Sequence, residues 1–323
     1  MPRLEDIKKQ VLAGRLIGRN EAMEIRSAPL EELCAAANEI REHFCGNAFD
    51  ICTIVNAKSG RCAEDCKYCA QSAFNGAKAE EYPLLGTEAL VEQARYSRER
   101  GVLRYSIVTS GLKPDDGELE HICEAIRAIR RHTGISVCVS LGLLTGRQLA
   151  AIREAGADRV HNNLETSRNR FPKVCTTHAY DDKVRTIRAA REAGLSVCSG
   201  GIMGLGETME DRIDMALEIR ELGVRSIPVN LLNPIPGTPL ANNPPLSNND
   251  MRRIVALFRF LVPDAAIRLA GGRVLLPDRG RQCFLSGANA AISGDMLTTS
   301  GISIERDMQM LGELGYRAAM CNG

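Results

Sequence analysis

Cys62, Cys66 and Cys69 lie within eight residues, in SGRCAEDCKYCAQS, and no fourth cysteine or histidine follows nearby. Thiolates suit zinc or an iron–sulfur cluster. Structural zinc wants four closed ligands, usually in two paired knuckles. The nearest further candidates, His43 and Cys52, lack that spacing. A four-iron cluster has four metal corners, so three cysteines leave one iron open to an exogenous ligand, as a catalytic cluster requires. Three inert buried cysteines are a poor reading of this loop, because Arg61, Glu64, Asp65 and Lys67 make it polar.

The elements that must position such a loop are legible as hydrophobic patterns. Short β-branched runs predict eight strands at 50–55, 104–109, 135–141, 158–164, 195–202, 225–232, 265–270 and 288–293. Amphipathic stretches fit between them, such as TEALVEQARYSRERG and GELEHICEAIRAIRRHTG, and recurrent Ala-Gly, Thr-Gly and Leu-Gly endings supply left-handed caps. Eight βα units predict an α/β fold of the TIM (β/α)8 barrel type rather than a doubly wound open sheet. Residues 1–46 read as an N-terminal helical extension, with apolar positions at Leu4, Ile7, Val11, Leu12, Leu30, Leu33, Ile40 and Phe44; the barrel and its C-terminal segment take 47–323. Charged helix segments such as REHF and RAIRRH read as solvated faces. Three loops break the regularity, at 56–86, 165–179 and the stretch NPIPGTPLANNPPLSNND after the sixth strand. All follow a strand's C-terminal end, the catalytic face of such barrels.

Composition excludes several partners. Over 323 residues the net charge is +1, with 44% hydrophobic and 25% charged residues, which offers no electrostatic handle for nucleic acid or an anionic membrane. Tryptophan is absent and aromatics make up 4%, too few for base-stacking surfaces. No signal-peptide-like or membrane-spanning run is present, so a cytoplasmic enzyme is expected, and twelve cysteines in a reducing compartment point to metal, catalysis or burial rather than disulfides.

The spacing Cys62-x3-Cys66-x2-Cys69, with Tyr68 before the last cysteine, resembles the radical S-adenosylmethionine superfamily, and GGIMGLGE at 200–207 resembles its GxIxGxxE element. The resemblance implies a [4Fe-4S] cluster whose open iron chelates S-adenosylmethionine, reductive cleavage to a 5′-deoxyadenosyl radical, and contacts to that cofactor from Tyr68, Asn163, Glu165, Gly204 and Glu207. The segments NAKSGRCAEDCKYCAQS, VCVSLG, HNNLETS, CTTHAYDD, VCSGGIMGLGET, PVNLLNPIPGTPL, IRLAGGR and CFLSGANAAISG, taken in order, are similar to the biotin synthase family from about residue 45 onward. That similarity implies radical insertion of sulfur into dethiobiotin, by a radical sulfurtransferase that uses flavodoxin or ferredoxin as reductant and forms a homodimer.

The family similarity also implies an auxiliary iron–sulfur cluster, [2Fe-2S] in typical members, held by three cysteines and one arginine and acting as sulfur donor. Two cysteines fall on Cys138 and Cys198 and the arginine on Arg268; the third falls on Ser106. Serine is a harder, less readily deprotonated ligand than thiolate. Either Ser106 ligates, or another cysteine replaces it, with Cys175 the first to consider, or the cluster is of a different type. Arg268 between Ile267 and Leu269 on an inner strand needs an anionic partner in any case. His161, Asn163 and Glu165 alternate on one strand face. By resemblance His161, Asn163 and Asn230 meet the substrate, the two amides pairing with its ureido group. His161 and Glu165 stand where relatives often carry Asn and Asp. Cys34, Cys45, Cys52, Cys123, Cys283 and Cys321 are assigned no chemistry. A maturase of the hydrogenase-cofactor type or a methylornithine synthase shares the triplet and barrel and is the alternative; a non-catalytic metal scaffold would leave the βα units unexplained.

Overall fold

The β-branched runs pair as parallel neighbours in the computed structural model, which describes residues 2–321. The strands are β1 (Ala48–Lys58), β2 (Arg104–Thr109), β3 (Ser136–Ser140), β4 (Arg159–His161), β5 (Ser196–Cys198), β6 (Gly201–Met203), β7 (Ser226–Leu231), β8 (Ala266–Leu269) and β9 (Ala290–Ser293). β1 pairs with both β2 and β9, which closes the barrel. β5 and β6 are two pieces of one stave, so eight staves enclose the core, as the pattern predicted. A further short strand, β10 (Arg317–Ala318), lies parallel to the start of β1 and had no sequence signal.

The break in the fifth stave has a cause on its neighbour. Cys198 pairs with Ser226 and Gly201 with Val229, and between these rungs β7 presents Pro228, which has no N–H to donate. The chain instead closes on β7 through Gly200, where a Cβ would lie 1.9 Å from the Pro228 carbonyl oxygen. At Gly201 a Cβ would lie 2.5 Å from the Glu165 carbonyl oxygen. We therefore expect Gly200→Ala to destabilise the protein by about 3 kcal/mol or more, by overpacking against backbone that cannot retreat. Chemical denaturation of the purified variant measures it.

The helices are α1 (Pro2–Leu12), α2 (Arg19–Ile25), α3 (Leu30–Cys45), α4 (Thr87–Glu99), α5 (Asp116–Thr133), α6 (Gly146–Ala155), α7 (Tyr180–Glu192), α8 (Met209–Glu221), α9 (Asn248–Leu261), α10 (Arg281–Phe284) and α11 (Ile304–Glu313). Capping boxes start α5 (Asp115/Glu118), α6 (Thr145/Gln148), α8 (Thr208/Asp211) and α9 (Ser247/Asp250), pinning the chain where each βα loop ends. Gly134 and Gly156 form the left-handed C-caps expected of their Thr-Gly and Ala-Gly endings. α10 is only four residues long, because Arg279 and Gly280 just before it both take positive φ. α2 was not predicted; its seven residues are too few for a periodic pattern.

The N-terminal extension shares the barrel's hydrophobic core: α3 packs on α9 and α2 on α8, and Leu4, Ile7, Val11, Leu33 and Ile40 are buried. Arg41, within the segment read as a solvated face, is buried instead. Its guanidinium donates to the Gly46 carbonyl at 2.6 Å and stacks over the Tyr316 ring at 4.9 Å. Among the described residues no helix is long and apolar enough to cross a membrane.

Candidate active site

The triplet loop follows β1 and is fixed by its own backbone. The Cys62 N–H donates to the Gln71 carbonyl at 2.9 Å, and the Cys62 carbonyl accepts from Ala73 at 2.8 Å. Asn75 Nδ2 donates to the carbonyls of Cys66 (3.1 Å) and Cys69 (2.8 Å), and the Lys67 N–H reaches the Val174 carbonyl across the barrel mouth. With the backbone thus satisfied, all three thiols line a cavity of about 380 Å³ at the C-terminal end of the strands. Loop residues after β1, β4 and β7 all contribute to it, as expected for this face.

The same cavity is lined by most of the residues predicted for cofactor and substrate, which form much of its wall. Tyr68, His161, Asn163, Glu165 and Asn230 all line the cavity. Burial, and next to it the Glu165 carboxylate that its hydroxyl hydrogen-bonds, pushes the Tyr68 phenol far up, so it remains a neutral donor. Glu165 has φ +71, a left-handed conformation that costs a non-glycine residue of order 1 kcal/mol or more and is sustained by its surroundings. Its N–H donates to the Gly200 carbonyl and its own carbonyl accepts from Ile202. Asn163 Oδ1 accepts from the Gly200 N–H at 3.0 Å, and Asn230 bridges the Gly201 carbonyl (3.0 Å) and the Gly271 N–H (2.9 Å). Each amide is thus locked in one orientation, with one acceptor lone pair and one N–H to spare.

Gly204 and Glu207 come together behind this wall rather than on it. Glu207 Oε1 accepts from the Gly204 N–H at 2.9 Å and from the Arg212 guanidinium at 2.7 Å, so the pair holds the turn after β6. Neither is among the cavity-lining residues.

Beneath the large cavity lies a second, smaller one lined by Cys52, Ile54, Arg104, Ser106, Cys138, Arg159, His161, Cys198, Arg268 and Ile292. Ile54, Ser106, His161 and Ile292 border both spaces. Cys138, Cys198 and Arg268, predicted to share a site from β3, β5 and β8, are brought together here. Three guanidiniums face one carboxylate: Arg104 and Arg268 lie 3.1 Å from Asp50, and Arg159 3.9 Å away. Burial alone would raise the Asp50 carboxyl, but the charges of Arg268, Arg104 and Arg159 outweigh it and hold it at about 2. Arg104 Nε, Arg159 Nη1 and Arg268 Nε have no hydrogen-bond partner among the described residues. Buried cations in excess of their counter-ion, with unspent donors, fit an anionic thiolate-bound group.

The thiols respond to that field. Burial raises Cys198, but a hydrogen bond from His161 and the positive charges of Arg268 and Arg159 help bring it down to about 6. Cys138 is pushed up to about 12 by burial and, next to it, by the neighbouring Cys198.

Cys175 lies elsewhere. Its sulfur contacts the Asp65 carboxylate (3.2 Å) and His178 Nδ1 (3.4 Å). A hydrogen bond with Cys66, and then those with His178 and Thr177, lower the Cys175 thiol to about 4 against burial and the Asp65 contact. It belongs with the triplet loop and is absent from the deep cavity, so the expectation that it replaces the missing auxiliary cysteine is corrected: the loop after β4 folds over the barrel mouth, not into it. Cys52 was overlooked. The available signal was the alternation Asp50, Cys52, Ile54 along β1, which puts a charged residue and a cysteine on the inner face.

Comparison with known proteins agrees with this architecture. A family model described as the Radical SAM superfamily matches residues 57–219, and one described as the Biotin and Thiamin Synthesis associated domain matches 228–317. The chain is 58% identical to a biotin synthase of Akkermansia muciniphila, over 96% of this chain and 97% of that one. It is 57% identical to a biotin synthase of Brachyspira hyodysenteriae, over 97% and 94%. Solved structures with the same fold include a methylornithine synthase (TM-score 0.84, 21% identity, 97% of each chain) and HydG, a maturase of the [FeFe]-hydrogenase (TM-score 0.85, 20% identity, 99% of this chain and 76% of that one). Near-full-length identity above one half, joined to a cysteine triplet stacked over a second thiol site in one closed barrel, makes the chain a member of the biotin synthase family within the radical S-adenosylmethionine superfamily.

Proposed function

We propose that the protein is a radical S-adenosylmethionine sulfurtransferase that inserts sulfur into dethiobiotin to form biotin. The observation that carries this reading is the stacking of the two cavities: a substrate in the upper one faces the triplet above and the thiols of Cys138 and Cys198 below. The solved maturase and methylornithine synthase share the fold at about one-fifth identity, whereas the biotin synthases match over half of all positions, which favours sulfur insertion over those chemistries.

Cys62, Cys66 and Cys69 would hold a [4Fe-4S] cluster, their thiols converging on the cavity from a loop that is already ordered. With S-adenosylmethionine bound there, the cofactor pair supplies a primary carbon radical for C–H bonds that no side-chain acid or base can break. The neutral Tyr68 hydroxyl, Asn163 and Glu165 orient the nucleoside end; Gly204 and Glu207 act one step back, by fixing the turn that supports the wall. Asn163 and Asn230 offer the ureido ring an acceptor and a donor each, and His161 reaches from the same wall to the deep thiols. Cys138, Cys198 and Arg268 would hold an auxiliary, sulfur-bearing cluster. The reading carries with it a flavodoxin- or ferredoxin-type reductant and a homodimer.

We expect Asn230→Ala to lower kcat/KM for dethiobiotin by about 10- to 100-fold, since an oriented amide facing a ureido group is lost and buried polar groups go unpaired. Steady-state assays at varied dethiobiotin measure it. The function itself is tested with anaerobically reconstituted, reduced protein: 5′-deoxyadenosine and biotin should both form and depend on dethiobiotin. Cleavage of S-adenosylmethionine indifferent to dethiobiotin, with no biotin, would sink the proposal.

A further inference from the structure

The auxiliary site poses a question of ligand supply. Two cysteines reach the deep cavity from β3 and β5, and the residue on β2 between them and β1 is Ser106. In the structure Ser106 sits directly opposite Cys138 in the β2–β3 ladder, and both line the cavity. Its hydroxyl is also a hard ligand, poorly matched to iron that is otherwise held by thiolates.

A third sulfur is nonetheless present. Cys52 lies on β1, the strand next to β2, and its side chain faces the same small cavity. Its sulfur is 3.1 Å from Arg268 Nη1, on the guanidinium whose Nε is left without a hydrogen-bond partner among the described residues. The same Nη1 donates to the Asp50 carbonyl at 2.8 Å and the Ala291 carbonyl at 3.0 Å, so Arg268 is anchored on the β1 side of the barrel, against Cys52. Cys52, Cys138 and Cys198 all line this one small cavity. A buried cysteine ordinarily contacts apolar neighbours; this one contacts a buried cation.

We infer that Cys52 supplies the third thiolate of the auxiliary cluster, in place of Ser106 and of Cys175. The thiolate set then comes from β1, β3 and β5, with Arg268 from β8 completing the ring and Ser106 standing beside Cys138 rather than binding iron. The inference rests on the proposed sulfur-donor reading of the deep cavity. It alters that reading in one respect: the cysteine has moved from β2 to β1, so the cluster is held one strand round the barrel.

The test removes the other cluster first. In the full-length Cys62→Ala/Cys66→Ala/Cys69→Ala protein, anaerobic reconstitution with ferrous iron and sulfide should leave only the deep cluster, read as bound iron, acid-labile sulfide and its Mössbauer spectrum. In that background Cys52→Ala and Cys138→Ala should each lower retained iron at least about ten-fold, while Ser106→Ala and Cys175→Ala should retain it. Cys52→Ser, which keeps the side chain's shape and the fold, should lose the iron or change its isomer shift and visible charge-transfer bands. Full iron and an unchanged spectrum in Cys52→Ser, or loss of iron in Ser106→Ala or Cys175→Ala instead, overturns the inference and leaves the sulfur-donor reading standing. No iron in the triple-alanine background at all overturns both.

Discussion

Replacing any one of Cys62, Cys66 or Cys69 by alanine should reduce S-adenosylmethionine cleavage to below about a thousandth of the parent rate, because the chemistry belongs to a cofactor that the remaining two thiols cannot hold. The fold should survive, since the loop is fixed by hydrogen bonds donated by Asn75 and Ala73 and accepted by the Gln71 carbonyl, none of which involves the thiols. The loss should therefore appear as iron missing from the reconstituted protein, with an unchanged thermal melt of the metal-free form. Arg61→Asn, in the same loop, is the control. Arg61 has φ +48, which asparagine tolerates, and its ion pair with Glu81 is exposed and worth at most about 1 kcal/mol. Activity within about two-fold of the parent is expected there, and a large loss in Arg61→Asn would mean that the loop's charge matters as much as its sulfur.

Asp50→Asn should be the most destabilising single change away from that loop. Asp50 is fully buried and is the carboxylate against which Arg104, Arg159 and Arg268 gather. Removing its charge leaves three buried guanidiniums uncompensated, a loss of about 3–5 kcal/mol in the metal-free protein. The same geometry sets a pH dependence. The folded carboxyl is held at about 2, below the unfolded value near 3.9, so its stabilisation is fully present above about pH 4. It is lost as pH falls toward 2, because the unfolded chain then binds a proton that the folded chain refuses. Denaturant unfolding at pH 7 and pH 3 should show the gap between parent and variant narrowing at the lower pH. A variant as stable as the parent at pH 7 would mean that the arginines find another counter-ion.

Much of this molecule is written in local sequence. Arg104–Thr109 forms the strand its β-branched run predicts, and the capping residues Asp115, Thr145, Thr208 and Ser247 open their helices. The triplet was readable because one loop supplies all its ligands. The deep site was harder, since its members come singly from β1, β3, β5 and β8 and meet only through closure of the barrel. Cys138, Cys198 and Arg268 were found through family resemblance, whereas Cys52 looked like an inert strand residue until Arg268 was seen against it. Cys175 misled for the same reason: a loop after a strand was expected at the catalytic face, and it is there, but packed on Cys66 and Asp65 at the rim. The broken fifth stave likewise depends on Pro228 of an adjacent strand, which no window around residue 199 contains.

Sulfur held at the deep thiol site should pass to a substrate in the cavity above it. The most direct measurement is a single turnover of anaerobic protein reconstituted with 34S-sulfide, given unlabelled dethiobiotin, S-adenosylmethionine and reductant, with mass spectrometry of the biotin formed. Biotin carrying 34S is the expected result; biotin formed without the label would place the sulfur source outside the barrel and contradict the account.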